Sequence, residues 1–206
     1  MHMLDILREY WVPLIKQPKT TIRRAMDETS TNCLFVLISL FGITLCLEQA
    51  MNRDAGNTTS TPAIIILSIV IGPIMGVIAW FLGSLCTYGM ARLFGGVASF
   101  RETREASAWA TVAYTTKLAL FIPMLLIFRE ENFTSITPDI DSSMFLALLF
   151  FLCLTASFVM SIYYFVVYSK IIGEIHEIGS WKGFASIVLI PVVLISLLIL
   201  VALALN

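Results

Sequence analysis

A chain of 206 residues would ordinarily make one domain, but 58% of this one is apolar, in runs long enough to cross a bilayer, which excludes an ordinary soluble protein. A formal net charge of −1 gives no general attraction for nucleic acid, and no such partner is expected. The positions of the 13 basic residues say more than their sum.

At the start, Leu4, Leu7, Trp11, Leu14 and Ile15 fall on one side of a helix, with Asp5, Glu9 and Lys16 on the other. Trp11 beside basic residues suits a headgroup layer, so the segment reads as an amphipathic helix lying on the membrane surface. Pro13 is expected to break or kink it. Pro18 suits the first turn of a second short helix over 19–27. Residues 1–30 therefore read as a cytoplasmic N-terminal segment with no evident cleavable leader, ahead of a membrane domain over 31–206.

Five membrane spans follow, at about 32–50, 63–93, 106–128, 143–170 and 184–205, and the fold class is an all-α membrane protein. Glu48, near the end of the first span, is expected to reach the far headgroup layer. The second span is long enough to tilt or project from the bilayer, and Pro73 should kink it. It carries Gly72, Gly76 and Gly83 on one face, and Gly72-Pro-Ile-Met-Gly76 is a small-xxx-small pattern that lets helices approach closely. A contact within the chain is the expected use, and a homo-oligomer interface is the alternative. The central loop holds Arg92, Arg101 and Arg104 around the pair Gly95-Gly96, which suits a tight turn. The third span is unusually polar, with Thr111, Tyr114, Thr115, Thr116 and Lys117, and Pro123 interrupts it.

Lys and Arg accumulate on the cytoplasmic side of membrane proteins. Ten of them fall in the N-terminal arm, the central loop and the loop holding Lys170 and Lys182, against Arg53 and Arg129 on the opposite side. The N-terminus is therefore expected inside and the C-terminus outside, in a plasma membrane (bacterial inner membrane) protein.

Lys117 is the residue that most needs explaining. It lies about ten residues into its span, roughly 15 Å along a helix, where an ionised amine costs at least a few kcal/mol unless paired or hydrated. It either lines an internal cavity beside Tyr114 and Thr115, or snorkels or bonds to neighbouring carbonyls. Glu174, His176 and Glu177 hold carboxylate and imidazole chemistry, but their spacing does not place all three on one helix face, and a solvated loop is expected. Cys33, Cys46, Cys86 and Cys153 lie in apolar runs without C-x-x-C spacing and read as packing residues. No metal, cofactor or catalytic set is expected: the chain lacks H-E-x-x-H, G-x-S-x-G and a P-loop. Asn57 and Asn132 head glycosylation sequons.

Several stretches carry a family likeness. Pro18-Lys19-Thr20-Thr21-Ile22, Arg92-Leu93-Phe94-Gly95-Gly96-Val97-Ala98-Ser99-Phe100, the span holding Tyr114 and Pro123, and Ile172-Gly173-Glu174-Ile175-His176-Glu177-Ile178 with Trp181 and Ala185 occur in order. In this the chain resembles the Yip family, the Rab-GTPase-interacting membrane proteins and their bacterial relatives. The short N-terminal region is similar to the bacterial branch. The resemblance implies five spans and no catalytic residue set. It also implies a non-enzymatic adaptor or scaffold in the lipid bilayer that binds other membrane proteins, such as an ABC-type exporter or trafficking machinery. The alternative is a small transporter or channel for a polar or anionic solute, with Lys117, Tyr114 and Thr115 lining the path. Candidate cytoplasmic contact residues are Arg92, Gly95, Gly96, Arg101, Glu174 and His176.

Overall fold

The computed structural model describes residues 3–204; His2, residue 205 and Asn206, and with them the expected outer C-terminus, lie outside the described residues. Among the described residues there is no strand. In order the helices are α1 (Met3–Lys16), α2 (Pro18–Asp27), α3 (Thr31–Asn52), α4 (Thr61–Leu93), α5 (Phe100–Thr115), α6 (Lys117–Phe128), α7 (Pro138–Ser142), α8 (Met144–Ile175) and α9 (Gly179–Ala204). Four stretches are long and apolar enough to cross a membrane: α3, α4, the run Phe100–Phe133, and α8; the apolar stretch Gly179–Ile190 of α9 is shorter. The chain is a multi-pass, all-helical membrane protein.

Two prolines do not end their helices as expected. Pro13 lies inside α1, where Gln17 N–H still bonds the Pro13 carbonyl at 2.7 Å, and Pro123 lies inside α6. The expected third span is instead two helices. α5 starts early, at Phe100, because Ser99 and Glu102 form a capping box: Ser99 N–H donates to Glu102 Oε2 (2.7 Å) and Glu102 N–H donates to Ser99 Oγ (3.2 Å). The break falls at Thr116, where the hydroxyls of Thr115 and Thr116 donate to the carbonyls of Val112 (3.0 Å) and Ala113 (2.7 Å) and compete with the backbone ladder.

The chain forms two compact units, one of Met1–Ser30, Trp80–Ala110 and Phe165–Asn206, the other of Thr31–Ala79 and Thr111–Tyr164. In the first unit α1 buries Ile6, Leu7, Tyr10 and Leu14. Trp11 and Ile15, expected at the centre of that face, are only half-buried. The buried line is turned toward Ile6 and Tyr10 because fully buried Trp109 of α5 receives the Tyr10 ring edge-on, centroids 6.0 Å apart. Tyr10 in turn donates to Glu28 (2.8 Å), and Trp109 Nε1 donates to Thr29 Oγ1 (2.7 Å).

In the second unit the glycines of α3 and α4 set the distance between helices. A Cβ at Gly42 would run into the Gly72 carbonyl oxygen, one at Gly72 would lie 2.8 Å from Ile43 Cα, and one at Gly76 would meet the Ile38 carbonyl oxygen. Gly72 and Gly76 are thus used inside the chain. Gly83, expected on the same packing face, has open space where its Cβ would be. Further along the second unit, Leu47, Ile64, Phe121 and Phe133 make one apolar cluster and Met124, Phe128 and Ile140 another.

Candidate functional site

The second unit holds one buried ionic cluster. Lys117 is the first residue of α6, so the break at Thr116 places it where one helix stops and the next begins. Its side chain is fully buried. The ammonium lies 2.8 and 3.0 Å from the two carboxylate oxygens of Glu48 on α3, and donates to Ser161 Oγ of α8 at 2.6 Å. Three acceptors match the three N–H donors of a lysine. Ser161 can accept because its own hydrogen goes to the Ser157 carbonyl at 3.2 Å. Tyr114, one turn before Lys117, donates its hydroxyl to Glu48, and its ring lies 4.2 Å from the ammonium in a cation–π contact. Phe41 and Tyr164 pack edge-on against that ring, at 5.3 and 5.4 Å. Glu48, expected at the headgroup layer, is turned to Lys117: pairing with a buried cation removes a cost of several kcal/mol that either charge would carry alone. Thr115 stays outside the cluster, its hydroxyl taken by the Val112 carbonyl.

In the first unit the two loops Phe94–Ser99 and Glu177–Ile178 lock together around His176. Each follows a helix that ends in a Schellman turn. At the end of α4, Gly96 N–H bonds the Ala91 carbonyl (2.8 Å) and Gly95 N–H bonds that of Arg92 (3.1 Å), with Gly95 at φ +87°. At the end of α8, Ile178 N–H bonds the Gly173 carbonyl and Glu177 N–H that of Glu174, with Glu177 rather than a glycine in the left-handed region at φ +58°. Val97 N–H then donates to the His176 carbonyl (3.2 Å), and Gly96 leaves no room for a Cβ, which would lie 2.5 Å from His176 Nδ1.

His176 is fully buried and not solvated, because the glycine lets the imidazole lie beneath the loop. Its Nε2 meets Thr103 Oγ1 at 3.0 Å, and that hydroxyl donates to the Ser99 carbonyl, so the imidazole is the donor and Nδ1 is left as a lone pair without a partner. Burial, reinforced by the Arg92 guanidinium, holds the imidazole below its ordinary pKa, while Glu102 pulls the other way. Arg92 donates to the Gly96 carbonyl at 3.0 Å. Arg23 of α2 meets both Glu174 (3.3 Å) and Glu177 (3.6 Å), so the two carboxylates share one cation while the His176 imidazole is directed to Thr103. Arg101 is exposed and pairs with Glu105. Among the described residues no group of three His, Cys, Asp or Glu side chains could hold a metal ion. Around the loops, Leu93 at the end of α4, Val97, and Trp181 in the first turn of α9 are 78%, 59% and 80% exposed, beside exposed Arg92 and Glu177.

The model of the Yip1 domain family matches residues 14–203. The chain belongs to the Yip1 domain family. No curated protein and no solved structure matches it. The match takes in every helix from the end of α1 onward, including both the ionic cluster and the His176 loops.

Of the residues singled out in the sequence, the Yip1 domain brings Lys117 and Tyr114 together, and Gly95, Gly96, Arg92 and His176 together. Glu48, marked in the sequence as an acid near the end of the first span, and Ser161, which nothing local marks, complete the first group. Deeper in the first unit, buried Tyr168 shares its hydroxyl with Ser107 (2.8 Å) and Thr87 (3.2 Å), a group that sequence reading passed over. Of the two sequon asparagines, Asn132 is buried and donates to the Met124 and Arg129 carbonyls, while exposed Asn57 donates to Ser135 Oγ and accepts from Ser135 N–H.

Proposed function

We propose that this Yip1 domain protein is a non-enzymatic adaptor or scaffold of the bacterial branch, resident in the plasma membrane, with five spans and its N-terminus inside. Its partners are other membrane proteins, an ABC-type exporter or trafficking machinery being the classes in view. α1 then rests at the headgroup layer with half-buried Trp11 and exposed Val12 toward lipid. The observation that supports the reading is the His176 loop pair. Its backbone is hydrogen-bonded internally, yet it exposes Leu93, Val97 and Trp181 beside charged side chains, the composition expected of a docking face.

The transporter alternative rests on Lys117. Its ammonium is fully buried and has an acceptor for each proton, which favours a polar lock between helices over a group waiting for a solute.

Photo-crosslinking residues placed at positions 93 and 181 in native membranes test the reading. A defined adduct to one partner, lost with Val97→Asp, supports it. Adducts to lipid alone at both positions overturn it.

A further inference from the structure

We propose that Lys16, Lys19 and Lys170 form a binding site for the phosphate-bearing headgroup of an anionic membrane lipid. A cleft of about 220 Å³ in the first unit is lined by Lys16, Gln17, Pro18, Lys19, Thr20 and Lys170, with no acidic residue among them. The three lysines come from three elements: the end of α1, the start of α2 and the last turns of α8. Among the described residues none of the three forms an ion pair. The nearest candidate on α8, Glu174 one turn beyond Lys170, is taken by Arg23. Glu28, just past the end of α2, accepts from Tyr10 and pairs with none of the three lysines. No acid lines the cleft and none pairs with its three lysines, so three positive charges converge on it.

The depth fits a headgroup. Lys170 lies five residues, about 8 Å along the helix, from the end of α8, while Lys16 and Lys19 are exposed. Basic pockets at the ends of membrane helices are suited to phosphorylated headgroups. Thr20, whose hydroxyl donates to the Gln17 carbonyl at 3.2 Å, keeps the turn between α1 and α2 in place, and with it the spacing of Lys16 and Lys19.

The full chain in detergent is titrated with phosphatidylglycerol, with phosphatidylcholine and with inorganic phosphate, and binding is read by retained lipid mass and by the rise in Tm. Phosphatidylglycerol should be retained and phosphatidylcholine not. Each of Lys16→Gln, Lys19→Gln and Lys170→Gln should weaken retention roughly fivefold, and the triple variant about a hundredfold. The corresponding lysine-to-arginine variants should bind like the wild type, and added salt should weaken binding throughout. Arg8→Gln and Arg24→Gln remove charge from α1 and α2 outside the cleft and should change little. The lysines lie on the surface, and lipid-free Tm values of the variants within a few degrees of wild type show that they fold. The proposal is overturned if the two lipids are retained equally. It is also overturned if the arginine variants outside the cleft weaken binding as much as the lysine variants do. Saturation by inorganic phosphate, with no further gain from phosphatidylglycerol, overturns the lipid assignment.

Discussion

Removing Lys117 alone should destabilise the second unit more than removing Lys117 and Glu48 together. In Lys117→Met the carboxylate keeps its Tyr114 donor but loses the ammonium, and Glu48 remains only 19% exposed. Breaking a buried pair from one side costs about 3–5 kcal/mol, whereas replacing both partners with apolar groups of similar volume can be neutral. Glu48 at the rim can draw some water, so about 3 kcal/mol is expected for Lys117→Met. Glu48→Leu leaves a fully buried ammonium with Ser161 and the Tyr114 ring but no counter-charge and should cost at least as much. The double variant should cost about 2 kcal/mol, less than either single change, giving a coupling of about 4 kcal/mol or more in a double-mutant cycle. Equilibrium unfolding of purified protein in mixed micelles reads all four corners. Single variants that lose under about 1 kcal/mol, with costs that simply add, would refute the lock.

The remaining predictions concern the glycines, His176 and the left-handed residue of the α8 turn. Gly76→Ile should part α3 from α4 and lower stability by several kcal/mol, while Gly83→Ala, with open space at its Cβ, should be neutral or slightly stabilising by helix propensity; thermal melts of the two variants check this. Since the folded pKa of His176 is depressed, the unfolded chain takes up its proton first on acidification. Its stabilising contribution is complete above the ordinary histidine value of about 6.5 and is lost as pH falls through the window below it, so Tm should drop from pH 7.5 to 5.5, and less so in His176→Asn. Equal slopes in both proteins would contradict the assignment. Glu177→Gly should retain or raise Tm because it relieves a left-handed residue of about 1 kcal/mol, whereas Glu177→Val should lower it.

Four apolar runs were legible as helices long enough to cross a membrane because length and apolar content define them, although the third begins earlier than its apolar run. Lys117 was legible for the opposite reason, as the one charge a bilayer centre would not tolerate unaided. Its partner was not: Glu48 lies 69 residues away at the end of an apolar run, where a headgroup placement satisfies the same local pattern. The break at Thr116 carries no proline or glycine and arises from threonine hydroxyls, which the residue type permits but does not require. Ser99 and Glu102 had the spacing of a capping box, a readable signal for the early start of α5. Gly83 shows the limit of face arithmetic, since spacing by seven keeps a residue on one side of a helix but says nothing about where the neighbouring helix ends. His176 read as solvated because burial depended on Gly96, 80 residues away in the chain, leaving space for a ring.

Mild crosslinking in native membranes, followed by purification and mass spectrometry of whatever is attached, tests the adaptor reading most directly. A single partner membrane protein in fixed proportion, lost with Leu93→Asn and Trp181→Ala but retained with the Lys117 and Glu48 double variant, is the expected result. Recovery of the chain alone, together with solute flux through proteoliposomes that disappears in Lys117→Met, would contradict it.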